Sequence, residues 1–251
     1  MVWPDAVAEF CMLTSTDAAA DANSLLRAKR VGPFAALRPE EFAPLVASAK
    51  LVRVPAGARL SASGPEGALI YVVLEGSICL FGALPNGRRC LVEIVDAPCL
   101  VGESAMFAES NAPLDAEALR AAVLVELRAG AVLECLRGST AAQLRMLGYM
   151  AARLKPLIAQ ITDLKLMTGP QRLARFLVAL AERQSNTAAL RLPFEKRTVA
   201  ALLGMTPESL SRAFRRLVGA GVKTTMGGGI AIADLDRLRQ FVEAESATLT
   251  G

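Results

Sequence analysis

The chain has 251 residues, of which 53% are hydrophobic and 5% aromatic. A chain of this length can bury a stable core without disulfide bonds or structural metal ions. Histidine is absent, which excludes Ser-His-Asp and Cys-His catalysis, His-based zinc sites and His-ligated haem. The net charge of +4 is uneven, because residues 1–137 carry 12 Lys/Arg against 16 Asp/Glu, whereas residues 168–251 carry 12 against 7. This asymmetry indicates either contact between the back of the chain and a polyanion or a chance fluctuation on a solvated surface.

The cysteines are scattered without a Cys-x-x-Cys pair: Cys11, Cys79, Cys90, Cys99 and Cys135. This spacing argues against a disulfide framework or a closed metal site and favours a reduced cytoplasm. The longest apolar run, Leu69–Leu74, is far shorter than the roughly 20 residues of a membrane-spanning helix. The amino terminus has acids and no positive region, so neither a secretory signal nor a membrane partner is expected.

In chain order, residues 1–28 are rich in Ala, Asp and Ser and predict a mobile extension. A short helix is expected after Pro39, since two acids follow this favourable first position. From Leu51 to Leu127, short apolar stretches alternate with Gly, Pro and Asn, which predicts an all-β sandwich or barrel. Pro85–Gly87 is expected to form a hairpin turn within it.

Residues 139–167 show helical periodicity. One apolar stripe has spacings that alternate between three and four: Leu147, Met150, Leu154, Leu157, Ile161 and Leu164. This alternation predicts a coiled-coil dimer seam, the alternative being one amphipathic helix packed inside a monomer. A neighbouring stripe, Leu144, Ala151 and Ile158, is expected to pack on the β domain. Pro156 should kink the helix, and Thr168–Pro170 predict a hinge where it ends.

The stretch from Lys196 to Arg216 fits a helix-turn-helix. Ala200 is small enough for two helices to cross, and Gly204 supplies the positive φ of a tight turn. Apolar residues fill the positions that join the helices: Val199, Leu203, Met205, Leu210 and Ala213. Thr206 is a good N-cap and Pro207 a good first residue for the second helix. Two β-prone pieces around Gly227–Gly229 predict the hairpin of a winged helix.

The second helix should expose short polar groups at its start and arginines further along, as a DNA recognition helix does. The expected DNA-binding residues are Thr206, Glu208, Ser209, Ser211, Arg212, Arg215, Arg216 and Lys196. The alternative is an ordinary helical hairpin with a basic face.

These features resemble the Crp/Fnr family of bacterial transcription regulators from about residue 30 to 240. The resemblance is carried by PAGARL, SGPEGALIYVVLEGSICLF, PNGRRCLVEIV and LVGESAMF in the front half and by LMTGPQRLARFL and TPESLSR behind. It implies that Glu208 accepts from a cytosine amino group, Arg212 donates to guanine and Ser211 touches a neighbouring base. These pairings are chemically sound.

The resemblance implies an α+β chain with a cyclic-nucleotide-binding-like β-roll, a long dimerisation helix and a winged helix-turn-helix. The expected parts are a mobile extension (1–28), the β-roll sensor (29–137), the dimerisation helix (138–168) and the DNA-binding domain (169–251). The family's effector site would include Gly102 and Glu103. The expected partners are an inverted-repeat DNA site, a second copy of the chain and RNA polymerase.

The sensor departs from the cyclic-nucleotide pattern, in which Arg-Ser or Arg-Thr follows Gly-Glu and grips the phosphate. Residues 104–119 contain no Lys or Arg and include three acids, so cyclic AMP is not expected. Only Cys11 lies near the amino terminus, which disfavours an iron–sulfur cluster, and the lack of histidine disfavours haem. The cofactor is therefore unknown, and Cys90 and Cys99, near turns, are the best candidates for thiol sensors.

The sequence thus predicts a homodimeric, cytoplasmic, non-enzymatic regulator of transcription whose β-roll senses an effector other than cyclic AMP. In this mechanism, a ligand or redox event in the β-roll changes the packing against Leu144, Ala151 and Ile158. The DNA domains then rotate about Thr168–Pro170, which sets the recognition helices one DNA turn apart. One alternative is a constitutive regulator of the same fold with a filled pocket. Another is a cyclic-nucleotide-binding module that acts on protein partners.

Overall fold

A computed structural model describes residues 18–61, 63–64, 67–83, 86–107, 114–185, 190–225 and 229–244. The chain forms two compact units, Met1–Arg153 and Leu154–Gly251. Within the described ranges, no helix is both long and apolar enough to span a bilayer.

The first unit contains ten strands among its described residues: β1 (Ala18–Ala19), β2 (Lys50–Val54), β3 (Arg59–Leu60), β4 (Ser63–Gly64), β5 (Gly67–Glu75), β6 (Ser77–Ala83), β7 (Arg89–Asp96), β8 (Cys99–Val101), β9 (Asp115–Ala118) and β10 (Ala122–Arg128). Its helices are α1 (Ala22–Ala28), α2 (Pro39–Val46), α3 (Ala129–Arg137) and the first half of α4 (Thr140–Leu166). The helix predicted after Pro39 is therefore confirmed as α2, and the predicted β domain is confirmed as well.

The strands form two antiparallel sheets. One has the order β1-β2-β10-β5, with β4 and β8 also paired to β5, and the other has the order β3-β9-β6-β7. The two sheets enclose an apolar core inside the β-roll. A second core lies between the first sheet and the helices.

The position of strand β5 between two cores explains why its sequence is a continuous apolar run rather than an alternating one. Ile70, Val72 and Leu74 belong to the core beneath the helices, whereas Tyr71 and Val73 belong to the core inside the roll. Successive side chains of a strand point to opposite faces, so a strand between two cores is apolar at every position. Each fully buried aliphatic side chain contributes about 1.5–3 kcal/mol to folding.

The amino-terminal extension differs from its prediction where the structure describes it. Strand β1 pairs with β2, so that Ala18 lies opposite Leu51. Helix α1 is held against β5 by Arg27, which donates to the Leu74 carbonyl at 2.8 Å and pairs with Glu75. Residues 18–28 are thus attached to the sensor rather than mobile. Residues 1–17 lie outside the described part.

Helix α4 contacts the sensor through a face that the sequence analysis did not select. Ala142 and Met146 are buried in the core beneath the helices, and Tyr149 and Met150 pack against it. Leu144, Ala151 and Ile158 are all exposed, with Leu144 at 65% and Ile158 at 61%. The prediction that this second stripe packs on the β domain is therefore wrong, because the sensor-facing side starts from Ala142, two residues away.

The second unit contains the second half of α4, followed by α5 (Gly169–Gln184), α6 (Lys196–Leu202), α7 (Pro207–Leu217), β11 (Val222–Thr224), β12 (Ile230–Ile232) and α8 (Leu235–Ala244). Its largest fully buried side chains are Leu173, Leu177, Leu190, Leu210 and Leu217. Strands β11 and β12 pair antiparallel, as the predicted wing requires. Gly227 and Gly228 lie outside the described residues.

Candidate nucleic-acid interface and sensor site

The turn between α6 and α7 has the geometry of a helix-turn-helix. Val199, Ala200, Leu210 and Ala213 are buried in one cluster, which fixes the two helices against each other. Gly204 has φ +63°, and the Met205 N–H donates to the Ala200 carbonyl at 2.8 Å. A side chain at Gly204 would be strained in this conformation, so the turn requires glycine.

Helix α7 begins with a complete N-cap. The Thr206 hydroxyl accepts a hydrogen bond from the Ser209 backbone N–H at 3.2 Å, and Pro207 occupies the first helical position. Glu208 is exposed, and hydrogen bonds from its own backbone N–H and then from Thr206 hold its pKa below the ordinary value. The carboxylate is therefore charged at neutral pH, beside the positive end of the helix dipole.

The side of α7 away from the core is polar and basic. Arg212 and Arg215 are exposed, and Arg212 donates to the Ser209 hydroxyl at 2.9 Å. Ser211 donates to the Pro207 carbonyl at 3.0 Å, so its oxygen still has acceptor capacity. Arg216 is also exposed. The Lys196 ammonium lies 5.7 Å from the centre of the Phe214 ring, beside the same helix.

The predicted effector residues lie at the end of β8. Gly102 adopts φ +92° and precedes a short 3-10 turn (Glu103–Met106). A Cβ atom at Gly102 would come within 2.6 Å of the Leu69 carbonyl oxygen, so backbone packing as well as φ requires glycine. This turn places the largely buried Glu103 side chain beside helix α4.

Glu103 is paired with Arg153 of α4, an interaction that the sequence analysis did not predict. The Arg153 guanidinium forms ion pairs with Glu103 and, at 2.7 Å, with Glu93 of β7. It also donates to the Leu100 carbonyl at 3.2 Å, and the Leu100 N–H donates to the Tyr149 hydroxyl at 2.8 Å. We name Glu93, Glu103 and Arg153 the sensor triad.

Burial and ion pairing act against each other in the sensor triad. Burial raises the pKa of Glu103, and the nearby Arg153 opposes that shift. The pKa of Arg153 is raised, since the pull of the two carboxylates outweighs the effect of its own burial. With two carboxylates and one guanidinium, the triad has one negative charge when Glu93 and Glu103 are ionised. An incoming phosphate would therefore meet a net repulsive site.

Comparison with known proteins assigns both units. Residues 51–139 match the family model of the cyclic nucleotide-binding domain, and residues 171–241 match that of the Crp-like helix-turn-helix domain. The nitrogen fixation regulation protein FixK of Rhizobium meliloti is 30% identical over 162 residues, covering 64% of this chain and 72% of that protein. The chain belongs to the Crp/Fnr family of transcription regulators. It is a DNA-binding regulator rather than an enzyme, as the sequence predicted.

Other Crp/Fnr relatives cover more of the chain. The CRP-like cAMP-activated global transcriptional regulator of Mycobacterium tuberculosis is 24% identical over 213 residues, covering 83% of this chain and 95% of that protein. The structure of FixK2 from Bradyrhizobium japonicum superposes with a TM-score of 0.62 at 19% identity, covering 76% and 96% of the two chains. The latter likeness supports the α+β fold, which is that of the Crp/Fnr family.

The residues of the predicted seam occupy positions open to a partner. Leu147, Leu154, Ile161 and Leu164 are 45–64% exposed, and Met150 and Leu157 are partly buried. Helix α4 continues through Pro156 and ends at Leu166, and Thr168 is the N-cap of α5. The predicted stop at Thr168–Pro170 is therefore confirmed.

The described cysteines differ sharply in access. Cys79, Cys99 and Cys135 are buried, and Cys90 is exposed. Burial raises the pKa of Cys79 to about 11 and that of Cys99 to about 12. Burial and a raised pKa both slow thiolate formation, so they disfavour Cys99 as a thiol sensor and leave Cys90 as the more accessible of the two candidates.

Arg153 and Tyr149 are the site residues that sequence reasoning missed. They follow Ala142 and Met146 at intervals of three and four residues, which places all four on one side of α4. The available signal in the sequence was that these two polar side chains continue the stripe of α4 that begins with the buried Ala142 and Met146. Their partners lie about 50 positions away in sequence, so only the folded β-roll identifies them.

Proposed function

We propose that this protein is a homodimeric, sequence-specific DNA-binding regulator whose β-roll responds to an effector other than cyclic AMP. The observation that carries the proposal is the exposed face of α7, with Glu208 and Arg212 one turn apart behind a capped helix start. Arginine to guanine and carboxylate to cytosine are the pairings through which a helix reads the major groove.

Different residues of α7 have different proposed roles. Glu208, Ser211 and Arg212 read base edges, whereas Arg215, Arg216 and Lys196 contact phosphates. Thr206 and Ser209 hold the start of the helix, and Ser209 also orients Arg212 through its 2.9 Å hydrogen bond. A bacterial regulator with this partner acts in the cytoplasm, and RNA polymerase is its second partner in transcription.

The homodimer is supported by α4, which leaves a row of large apolar side chains without an intrachain cover. Seam residues Leu147, Leu154 and Ile161 are all more than half exposed. Large exposed apolar patches mark interaction sites, and a spacing of three and four residues is that of a coiled-coil seam. A second copy of the same helix fits this seam.

The exclusion of cyclic AMP is supported by the sensor triad. Its Glu103 is engaged by Arg153, and residues 104–119 contain no Lys or Arg to receive a phosphodiester. Burying an anion without a cationic partner costs several kcal/mol. The effector that we propose binds at Gly102 and Glu103 as a neutral or cationic molecule.

A second candidate function is a regulator that needs no effector. It is favoured by the interior of the β-roll, where Tyr71, Ile78, Leu80 and Leu124 are all buried in one apolar cluster. On this second candidate, the buried side chains themselves fill the interior of the roll, and no effector is required. Native mass spectrometry of the purified dimer distinguishes the two candidates, since only the first predicts a bound small molecule or one that binds on addition.

Calorimetry and binding-site selection test the main proposal. Titration with cyclic AMP should give no measurable binding at micromolar concentrations, which means that the binding free energy is weaker than about −8 kcal/mol. Selection from random DNA should recover a two-fold symmetric site. Tight one-to-one binding of cyclic AMP would overturn the effector assignment, and failure to select a symmetric site would overturn the role in DNA recognition.

A further inference from the structure

The seam and the recognition helix meet within the second compact unit. Leu164 is the last seam residue of α4, and a Cβ atom at Gly204 would come within 2.7 Å of its Cδ2 atom. The turn that precedes α7 therefore lies in close contact with the end of α4. The seam is thus directly adjacent to the helix-turn-helix.

Arg172 of α5 joins the same two parts. Its Nε–H group donates to the Leu203 carbonyl at 2.9 Å, and its Nη1–H group donates to the Met167 carbonyl at 2.7 Å. Met167 directly follows α4, and Leu203 is the C-cap of α6 in the helix-turn-helix. One side chain therefore connects the end of the seam helix to the turn before the recognition helix.

The chemistry of these two acceptors explains why an arginine suits this position. The carbonyl groups at the end of a helix have no partner within the helix and carry the negative end of its dipole. Helices α4 and α6 both end beside Arg172, so one guanidinium satisfies a carbonyl group of each. Burial lowers the pKa of Arg172 and Asp163 opposes that shift, but a guanidinium keeps its proton at neutral pH in either case.

The backbone that carries Arg172 is itself held in place. The neighbouring Gln171 is fully buried, and its side chain accepts a hydrogen bond from the Thr168 N–H at 2.8 Å. The same side chain donates to the Val242 carbonyl of α8 at 3.0 Å. Because the start of α5 is anchored to α8, Arg172 extends from a fixed base to the end of α4 and to the turn.

We propose that Arg172 is a positioning residue for DNA recognition, which fixes the angle between the seam of α4 and the recognition helix α7. In this role it contacts no DNA and acts through the backbone of Met167 and Leu203. The inference rests on the proposed function, since it requires the α4 dimer and a symmetric DNA site. In such a dimer, the angle within each copy determines the distance and orientation between the two α7 helices. Binding of the second half-site is then intramolecular, and its contribution to affinity depends on how well the two helices are aligned beforehand.

Affinities for whole sites and half-sites test this role with the full-length protein. Arg172→Met keeps the aliphatic stem but removes both donors. Affinity for a DNA duplex with one intact half-site should stay close to that of the natural chain, because α7 and its reading residues are unchanged. Affinity for the selected two-fold symmetric site should fall by about tenfold or more, since the second half-site no longer meets an aligned helix.

The spacing between half-sites gives a second readout, one that a loss of stability alone would not change. The natural dimer should discriminate against sites whose half-sites lie about 1 bp closer together or further apart, whereas the Arg172→Met dimer should bind them nearly as well as the selected site. Arg239→Met is the matched control, because this arginine also bonds two groups of the same unit, Glu182 of α5 and Asp236 of α8. Neither group belongs to α4 or to the turn, so this variant should keep the natural affinity ratio and spacing preference.

Arg172→Lys covers the case in which the methionine variant does not fold. Lysine keeps the charge but lacks the planar fork that spans two carbonyl groups, so the ratio of whole-site to half-site affinity should still fall, by less than in Arg172→Met. The proposal is overturned if folded Arg172 variants lower both affinities by the same factor, or if they keep the natural ratio and spacing preference. It also falls if the natural chain selects no symmetric site. That result contradicts the proposed function itself, whereas an unchanged ratio in the variants contradicts only the role of Arg172.

Discussion

At the scale of single residues, two arginines of α7 should separate base reading from phosphate binding. Arg212 lies one turn after Glu208, near the helix start, whereas Arg216 lies a further turn along. Arg212→Ala should cost about 1–3 kcal/mol per half-site and relax the preference at one guanine. Arg216→Ala should weaken binding to all sequences alike and reduce the salt slope by about one.

Binding-site selection and titration at two salt concentrations distinguish these outcomes. Arg237→Ala, which removes the same charge from an exposed position of α8, is the control and should change the preferred site in no way. Equal losses for every sequence in both the Arg212 and Arg216 variants would show that the recognition register is misplaced. Such a result would not affect the assignment of the fold, but it would mean that residues other than Arg212 contact the bases.

Thiol reactivity gives a second prediction at this scale. The exposed Cys90 should react with iodoacetamide well before Cys79 and Cys99, whose thiols are buried and have pKa values of about 11 and 12. Only the thiolate attacks, so both burial and a raised pKa slow the reaction. Peptide mass spectrometry over a time course measures the order, and early labelling of Cys99 would mean that β8 opens readily.

The sequence reveals residue roles best where partners are close along the chain. Thr206, Gly204 and Ala200 could be assigned from spacing alone, because a cap and a tight turn are local structures. Arg153 could not be assigned, since its carboxylate partners come from β7 and from the turn after β8. Nothing in the helical pattern states which side of α4 the β-roll will cover.

At the scale of elements, the exposed stripe of α4 should hold the dimer together. The double variant Leu154→Asp/Ile161→Asp places charges in the seam, where burial without a partner costs several kcal/mol. Sedimentation at micromolar concentration should therefore show a monomer. Leu166→Asp is the matched control, because this side chain is equally exposed but lies off the seam, and it should remain dimeric.

A double variant that remains dimeric and binds its site normally would contradict the assignment of the dimer seam to α4. The experiment is needed because the same helix can have both heptad spacing and a face that packs within the chain. The first half of α4 shows both, with Met146 buried against the sensor and Leu147 exposed beside it. Periodicity predicted the apolar seam, but the error over Leu144, Ala151 and Ile158 shows that it assigns the other side of a helix poorly.

At the scale of the whole molecule, symmetry should fix the spacing of the DNA site. A two-fold dimer presents two α7 helices, and these reach adjacent major grooves when the half-site centres lie about 10 bp apart. Inserting about 5 bp between the half-sites places them on opposite faces of the duplex. Affinity should then fall to about that of a single half-site. An insertion of about 10 bp returns the half-sites to the same face of the duplex but moves them further apart, so affinity should recover only as far as the dimer can span the longer distance.

Electrophoretic mobility or anisotropy titrations with the selected site and its two insertions measure this dependence. Pro156→Ala should make the dimer less tolerant of insertions of about 1 bp, because a stiffer α4 adapts less to a half-site rotated by about one-tenth of a turn. Gly148→Ala should bind all of these sites like the natural chain. If the 5-bp insertion binds as tightly as the selected site, each copy reads its half-site independently, and the symmetric assembly is not what gives this regulator its specificity.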